Sequence, residues 1–349
     1  MRSLLRIFAL VVLGGVAVLA IAGALAPWSP SGWFALGTVA VAAVALAIKD
    51  ARPRRGLGLA AAVLFTILVL VRMVGAGDGM IGMRTLPGGG SARWLARLID
   101  EQDLALVGAR VLALQWPLPA SERERLVPAM REAYLDMRHD DAFSPSPALD
   151  TFLFRQLPGA FDTLVIEPRA EPKPSVPMKF GVLFLHGFAG SYTLECWLVA
   201  RAAREIGALT VCPATDFTGH WRGETGERIL RASLDYLHSR GIQRVFLAGL
   251  SNGAAGASTL LARFAPSFEG LILISGAPAA GGNGGLPTLV VHGEHDTVAP
   301  VAAARAFAER NHATYAGFDG GHFVLVVRRA ETREAIVNWL MHQAGYHVR

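Results

Sequence analysis

The chain opens with three long apolar runs, and the spacing of apolar positions then changes twice. Residues 7–26 carry no charge. At 1.5 Å per residue that run is long enough to cross a hydrocarbon core of roughly 30 Å. Two shorter runs, 33–48 and 57–71, follow and read together as a helical hairpin. Trp33 is placed as an interfacial anchor, and Arg72 lies near an end, where a long side chain extends to the interface. A cleaved leader is the competing reading of the first run, because Ala24-Leu25-Ala26 resembles a processing site. The run exceeds the ~7–15 apolar residues of such a leader, and Pro27 would follow the cut.

Residues 75–90 are glycine-rich and read as a flexible exit from the apolar region. Over 91–114, Trp94, Leu95, Leu98, Ile99, Leu104, Val107 and Val111 recur at helical spacing. Ser121 followed three residues later by Glu124 is a capping-box signature, and a helix carrying Leu126, Met130, Tyr134 and Met137 is expected after it. These helices either pack on the rest of the protein or form a lid. Residues 140–150, with two Ser-Pro pairs, read as a loop. No period repeats along the chain.

From residue 161 the pattern changes again. Residues 161–167 read as a strand and 168–177 as a proline-rich turn. Residues 180–185 are continuously apolar, as in a central parallel strand covered on both faces, and end in His186-Gly187-Phe188-Ala189-Gly190. Strands are then expected at 209–212, 245–248, 271–275, 288–292 and 315–318. Helices are expected at 195–205, 227–239, 302–309 and 330–343. This alternation predicts an α/β, doubly wound, mostly parallel sheet. Three regions follow: 1–76 in the membrane, 77–150 as a helical connector, and 151–349 as an α/β domain.

Composition sharpens the membrane reading. Of 349 residues, 52% are hydrophobic and only 17% charged, which is apolar for a soluble enzyme. The net charge of +5 comes without a Lys-rich tract or a basic–aromatic face, so no nucleic-acid partner is expected. Arg2 and Arg6 precede the first run, and Lys49, Arg52, Arg54 and Arg55 crowd the loop after the second against Asp50 alone. Those basic positions belong on the cytoplasmic side, which sends everything after about Val74 to the extracytoplasmic side. The two cysteines, Cys196 and Cys212, exclude a disulfide-dense scaffold and a multi-cysteine metal site. They are expected as two unpaired, buried thiols, with a single bridge as the alternative.

The chemistry centres on Gly249-Leu250-Ser251-Asn252-Gly253, a G-x-S-x-G set between an expected strand and a small-residue helix. In that context the motif is a nucleophile elbow. The turn tolerates no side chain two residues to either side of the serine, and the helix N-terminus faces the reacting centre.

With the residues around 296 and 322 added, the chain from about 160 onward resembles the α/β-hydrolase superfamily, esterase- and lipase-like serine hydrolases. The order Ser…Asp…His carries the resemblance. The stretch from Val291 to Pro300, with Asp296, resembles the acid loop after a late strand, and Gly320-Gly321-His322-Phe323 resembles the histidine loop before the last helix. The resemblance implies Ser251 as nucleophile, His322 as base and Asp296 as the acid that orients it. It also implies an oxyanion hole from the backbone N–H groups of Asn252 and Phe188.

Glu294 and Asp319 are rival acids. His186 is read as a brace for the oxyanion turn, and His295 as a solvent-facing loop residue. Asp216, His220, Trp221 and Arg222 either reach substrate or form a polar turn. Gly281–Gly285 reads as a flexible loop and not a phosphate cradle, since it does not open a helix. No metal or cofactor motif occurs, and none is expected. Residues 276–286 are too few for a cap domain, so the site is either open or covered by the 91–137 helices. The expected activity is a membrane-anchored serine hydrolase acting on carboxylic, thio- or lipid esters. A serine peptidase of the same fold and a non-catalytic binding module are the alternatives.

Overall fold

A computed structural model describes residues 2–25, 28–74, 80–88, 90–91, 94–97, 100–115, 117–147, 159–168 and 179–346. The processing site at Ala26, parts of the 75–90 exit, the apolar positions Leu98 and Ile99, the end of the 140–150 loop and most of the 168–177 turn lie outside the described residues.

Three helices open the chain: α1 (Arg2–Leu25), α2 (Pro30–Ala47) and α3 (Ala51–Val74). All three are long and apolar enough to cross a membrane, over Leu4–Ile21, Pro30–Ala47 and Ala51–Met73. Their outward faces expose large apolar side chains such as Val11, Ile21, Leu59 and Leu70, an arrangement that water disfavours. Ser29 caps α2 by accepting the Gly32 N–H at 3.0 Å, with Pro30 preorganised at the first helical position. The second and third helices exceed the expected hairpin. Arg52, Arg54 and Arg55 sit in the first turns of α3 and not in a loop, because Pro53 falls in the first turn, where a missing N–H costs no intrahelical bond. Arg72 does not extend to an interface. It is buried, donating to the Arg97 carbonyl (2.9 Å) and Ser31 Oγ (2.7 Å).

Among the described residues the sheet holds nine strands: β1 (Ile81–Leu86), β2 (Gly90–Ser91), β3 (Phe161–Ile166), β4 (Phe180–Leu185), β5 (Leu209–Pro213), β6 (Arg244–Leu250), β7 (Gly270–Ile274), β8 (Thr288–Gly293) and β9 (Thr314–Phe318), in the order β2-β1-β3-β5-β4-β6-β7-β8-β9. The run from β5 to β9 is parallel, while β2, β1 and β3 add antiparallel. This is an α/β-hydrolase-like sheet. Strand β1, between the two-residue β2 and β3, replaces part of the expected flexible exit. Its buried residues Ile81, Met83 and Leu86 pair with Ile166, Leu164 and Phe161 of β3.

Among the described residues seven further helices of eight or more residues follow: α4 (Glu101–Gln115), α5 (Ala120–Asp140), α6 (Thr193–Ala203), α7 (Gly223–Ser239), α8 (Asn252–Phe264), α9 (Val301–Arg310) and, after the short α10 (Val324–Val327), α11 (Arg329–Gln343). The helix expected over 91–114 is broken. Ser91 ends β2, a 3-10 turn occupies Trp94–Arg97, and α4 begins only at Glu101. The capping box is absent as well. Helix α5 starts one residue before Ser121 with Pro119 as N-cap, and no side chain caps it.

Alternate side chains of the central strands feed two cores. Val182, Phe184, Phe246 and Ala248 face α6 and α11, while Leu183, Leu185, Val245 and Leu247 face α7 and α8. Ala133, Tyr134 and Met137 of α5 join the first core, so the connector is packed against the sheet domain. Cys196 of α6 and Cys212 of β5 form a disulfide, correcting the expectation of free thiols. Helix α6 is the crossover between adjacent strands β4 and β5, and it brings the two residues together despite their separation of 16 in sequence.

Candidate active site

The chain winds outward from β4 to β5, then returns to place β6 on the other side of β4. Strand order therefore reverses between β4 and β6, where crevices form at the carboxyl ends of a parallel sheet. Leu185, the last residue of β4, pairs with Gly249 of β6. The turn His186–Phe188 and the elbow at Ser251 thus emerge side by side.

Ser251 occupies the strained backbone of an elbow, φ 53° and ψ −116°, at a typical cost of ~1–3 kcal/mol. Its N–H donates to the Ile274 carbonyl at 2.8 Å, tying the turn to β7. A Cβ at Gly249 would stand 2.4 Å from the Gly253 carbonyl oxygen, and one at Gly253 2.0 Å from that of Leu185. Only glycine fits at either position.

His322 Nε2 lies 3.0 Å from Ser251 Oγ, and its Nδ1 lies 2.9 Å from Asp296 Oδ2. Asp296 Oδ1 accepts the Val298 and Ala299 N–H groups, both at 2.8 Å. An ionised Oδ2 then requires Nδ1 of His322 to carry the proton, which leaves the Nε2 lone pair facing the serine hydroxyl. The loops after β6, β8 and β9 deliver the three side chains. Asp296 and His322 are buried.

The rival acids are engaged elsewhere. Glu294 accepts from Arg305 (2.5 Å) and the Tyr315 hydroxyl (3.2 Å). Asp319 pairs with Arg328 (2.8 Å) and the exposed His295 (3.3 Å). His292, which sequence reasoning missed because it sits inside a strand, is fully buried 3.5 Å from Asp296 Oδ2 and bonds the Ala299 carbonyl. Burial holds its imidazole below the ordinary range, so it stays neutral beside the acid.

His186 braces the turn beside the elbow. Its Nδ1 donates to the Gly187 carbonyl (2.8 Å) and its Nε2 accepts the Thr215 N–H (3.0 Å). Burial pushes its pKa down to about 4, opposed by the Gly187 bond and by Asp216. A Cβ on Gly187 would lie 3.1 Å from the Leu250 oxygen and 3.2 Å from Ser251 Cβ, so the backbone leading to Phe188 stands directly against the elbow. Asn252 is the first residue of α8, where N–H groups have no intrahelical acceptor. Its side chain donates to the Thr218 carbonyl. Asp216 forms a polar turn with Thr218 and His220, and Trp221 is buried with its Nε1 on the His186 carbonyl. His220 and Arg222 are exposed.

Above Ser251 and His322 lies a cavity of ≈ 110 Å³. Ala105, Gly108, Ala109 and Leu112 of α4 and Met130 and Tyr134 of α5 line one side; Phe188, Tyr192, Leu194, Glu195, Phe323 and Leu325 are among the residues on the other. The connector helices roof the site. Glu101 at the start of α4 fastens this roof: it accepts the Thr193 (2.8 Å) and Leu194 (3.1 Å) N–H groups at the start of α6, the Tyr134 hydroxyl (2.9 Å) and the Ser146 hydroxyl (2.5 Å). The carboxyl of Glu195, in the cavity wall, has its Oε2 enclosed with no hydrogen-bond partner among the described residues. Burial, reinforced by Glu101, pushes its pKa up to about 8.

No protein-family model matches the chain, and no curated protein matches it. Solved structures with similar folds include XC6422 from Xanthomonas campestris, an α/β serine hydrolase without lid, at 22% identity and TM-score 0.44, covering 53% of this chain and 89% of that one. Est1E from Butyrivibrio proteoclasticus aligns at 18% identity and TM-score 0.45, over 54% of this chain and 97% of that one. The Pyrococcus furiosus esterase Pf2001 aligns at 17% identity and TM-score 0.42, over 53% and 88%.

Proposed function

We propose that this protein is a membrane-anchored serine hydrolase that cleaves carboxylic esters through an acyl-enzyme. One observation carries the reading: the unbroken chain Ser251 Oγ, His322 Nε2, His322 Nδ1, Asp296 Oδ2, with links of 3.0 and 2.9 Å, opening on an apolar cavity. His322 takes the serine proton as Oγ attacks the ester carbonyl. Asp296 holds the tautomer and stabilises the imidazolium. The N–H groups of Asn252 and Phe188 receive the developing oxyanion, each typically worth ~100- to 1000-fold in rate. The imidazolium protonates the leaving alcohol, and water then hydrolyses the acyl-enzyme by the same steps in reverse.

The membrane component rests on the three apolar helices, and the sidedness on Arg2, Arg6, Lys49 and the arginines in the first turns of α3. The Cys196–Cys212 disulfide supports the same placement, since such bonds persist in oxidising compartments. The apolar cavity wall favours an acyl group or a lipid as the bound part of the substrate.

Fluorophosphonate labelling of the detergent-solubilised full-length protein tests the reading. Labelling is expected in the wild type, none in Ser251→Ala, and a sharp reduction in His322→Ala. A folded wild type that does not label refutes it. Comparison of p-nitrophenyl esters with peptide amides then separates esterase from peptidase.

A further inference from the structure

We infer that Glu122, on the connector helix α5, is a positioning residue that holds the His322 loop in its working geometry, so that the triad is complete only when the connector is docked. The inference rests on the hydrolase reading for its kinetic consequence, though not for its structural one.

Glu122 lies in the first turn of α5, where a carboxylate ordinarily faces water and favours its own helix dipole. Here it is 1% exposed. Its Oε1 accepts the N–H of Gly321 at 3.1 Å and the N–H of Phe323 at 2.8 Å, the two residues flanking His322. One oxygen thus fixes the backbone on both sides of the base from nearly two hundred residues away in sequence. The loop is shaped to receive it: a Cβ at Gly321 would stand 2.1 Å from Glu122 Oε2. The glycine before the histidine, which in the sequence reads only as part of a motif, is the seat of the carboxylate.

Two further contacts bind the same segment to the same place. Thr297 Oγ1, adjacent to Asp296, donates to the Pro117 carbonyl at 2.5 Å. Leu118, Leu126 and Val127 form a cluster with α4 against which Phe323 and Trp28 pack. The strap before α5 and its first turn therefore touch both the acid loop and the histidine loop, and the cluster continues to the residue between α1 and α2. A lid that merely shielded the cavity would need only the apolar part of this contact. Buried carboxylate–amide bonds cost desolvation unless their geometry is good, and they fix orientation where an apolar patch would slide.

The test uses full-length protein in detergent. Glu122→Ala removes the acceptor. Glu122→Gln keeps an acceptor oxygen for both amides. Gly321→Ala leaves Glu122 in place but occupies its seat. Active sites are counted by fluorophosphonate titration, and amide exchange is followed in the peptide spanning Gly321–Phe323. Glu122→Ala is expected to lower kcat per active site 10- to 100-fold with KM within about threefold, consistent with the sensitivity of catalysis to small misplacements. Glu122→Gln is expected to recover kcat to within about fivefold of wild type. Gly321→Ala should match Glu122→Ala, and the double variant should be no worse. Exchange should rise in the histidine-loop peptide and stay unchanged in β4 and β6. An unchanged kcat in Glu122→Ala overturns the inference, as does an equal loss in Glu122→Gln with exchange raised across the whole sheet, the mark of a generally destabilised domain. A wild type that fails to label, with the local exchange pattern as expected, refutes the hydrolase reading and leaves the clamp standing.

Discussion

The sheet side and the roof side of the site are held by different chemistry. Ser251 and the His186–Phe188 turn are placed by ladder hydrogen bonds and by glycines that allow backbones to touch. The roof helices α4 and α5 are placed by buried carboxylates: Glu101 on α6, Glu122 on the histidine loop, and Asp103, which accepts the Ser29 N–H at 2.7 Å. Burial raises the pKa of all three. A close-packed sheet is fixed by shape, whereas a docked helical layer takes its register from a few directional bonds whose loss exposes buried donors. Damage to the first should therefore abolish chemistry with little warning in stability. Damage to the second should loosen the roof first and slow catalysis through it.

The largest effect expected is on chemistry alone. Ser251→Ala should lower ester hydrolysis by at least ~10⁴-fold while leaving the thermal midpoint nearly unchanged; comparison of turnover with a melting curve checks both halves. Glu101→Ala breaks the contrast from the other side. It strips four donors of their acceptor, and a buried polar cluster so disrupted typically loses ~3–5 kcal/mol. Thermal denaturation is expected to show the loss, with increased exchange in α4 and the start of α6 ahead of β6. The disulfide lies on the sheet side, and its removal in a Cys196→Ser, Cys212→Ser pair should cost ~3 kcal/mol, the value typical for a loop of this size. Non-reducing mass analysis of the wild type checks that the bond is present.

The smallest effects are on the pH dependence of stability, and they have opposite signs for two buried groups beside the site. His186 has its pKa pushed down to about 4 from 6.5, so the unfolded chain binds the extra proton over that interval and stability is lost as pH falls from 6.5 towards 4. Glu195 has its pKa pushed up to about 8 from 4.5, so the folded chain keeps its proton and stability is lost as pH rises across that range. Glu195→Gln should flatten the alkaline side of a melting-temperature profile and leave the acid side alone. A profile unchanged on both sides would show that the carboxyl is solvated.

The same contrast decided what could be read from the sequence. Ser251 with its glycines, the acid loop and the histidine loop are local patterns on strands of continuous apolarity, and their spatial meeting follows from strand order. The roof left no comparable trace. Glu101 and Glu122 look like the solvated acids of any helix start, and Ser121 with Glu124 imitated a cap while the carboxylate between them did the long-range bonding. Strand β1 was hidden in a glycine-rich stretch because six residues of weak alternation acquire their pattern only against β3. Arg72 read as an interfacial cation because its partners Ser31 and Arg97 are distant in sequence. The disulfide stood only as the alternative to free thiols because spacing alone does not show that two residues share a crossover.

Strand β1 has a consequence for how the enzyme would meet its substrate. Only six residues, 75–80, separate the end of α3 at Val74 from the start of β1 at Ile81. Fully extended, such a tether reaches on the order of 20–25 Å. With α3 in the bilayer, the whole catalytic body is confined to a layer about one small domain deep above the lipid surface. Encounter with a membrane-borne ester then becomes a search in two dimensions, at an effective concentration set by the lipid surface and not by the bulk solution. Because Ser29 and Arg72 also hold the body at Asp103 and at the Arg97 carbonyl, lengthening 75–80 with glycine and serine alone should leave turnover unchanged for a soluble ester and for one held in the same vesicle.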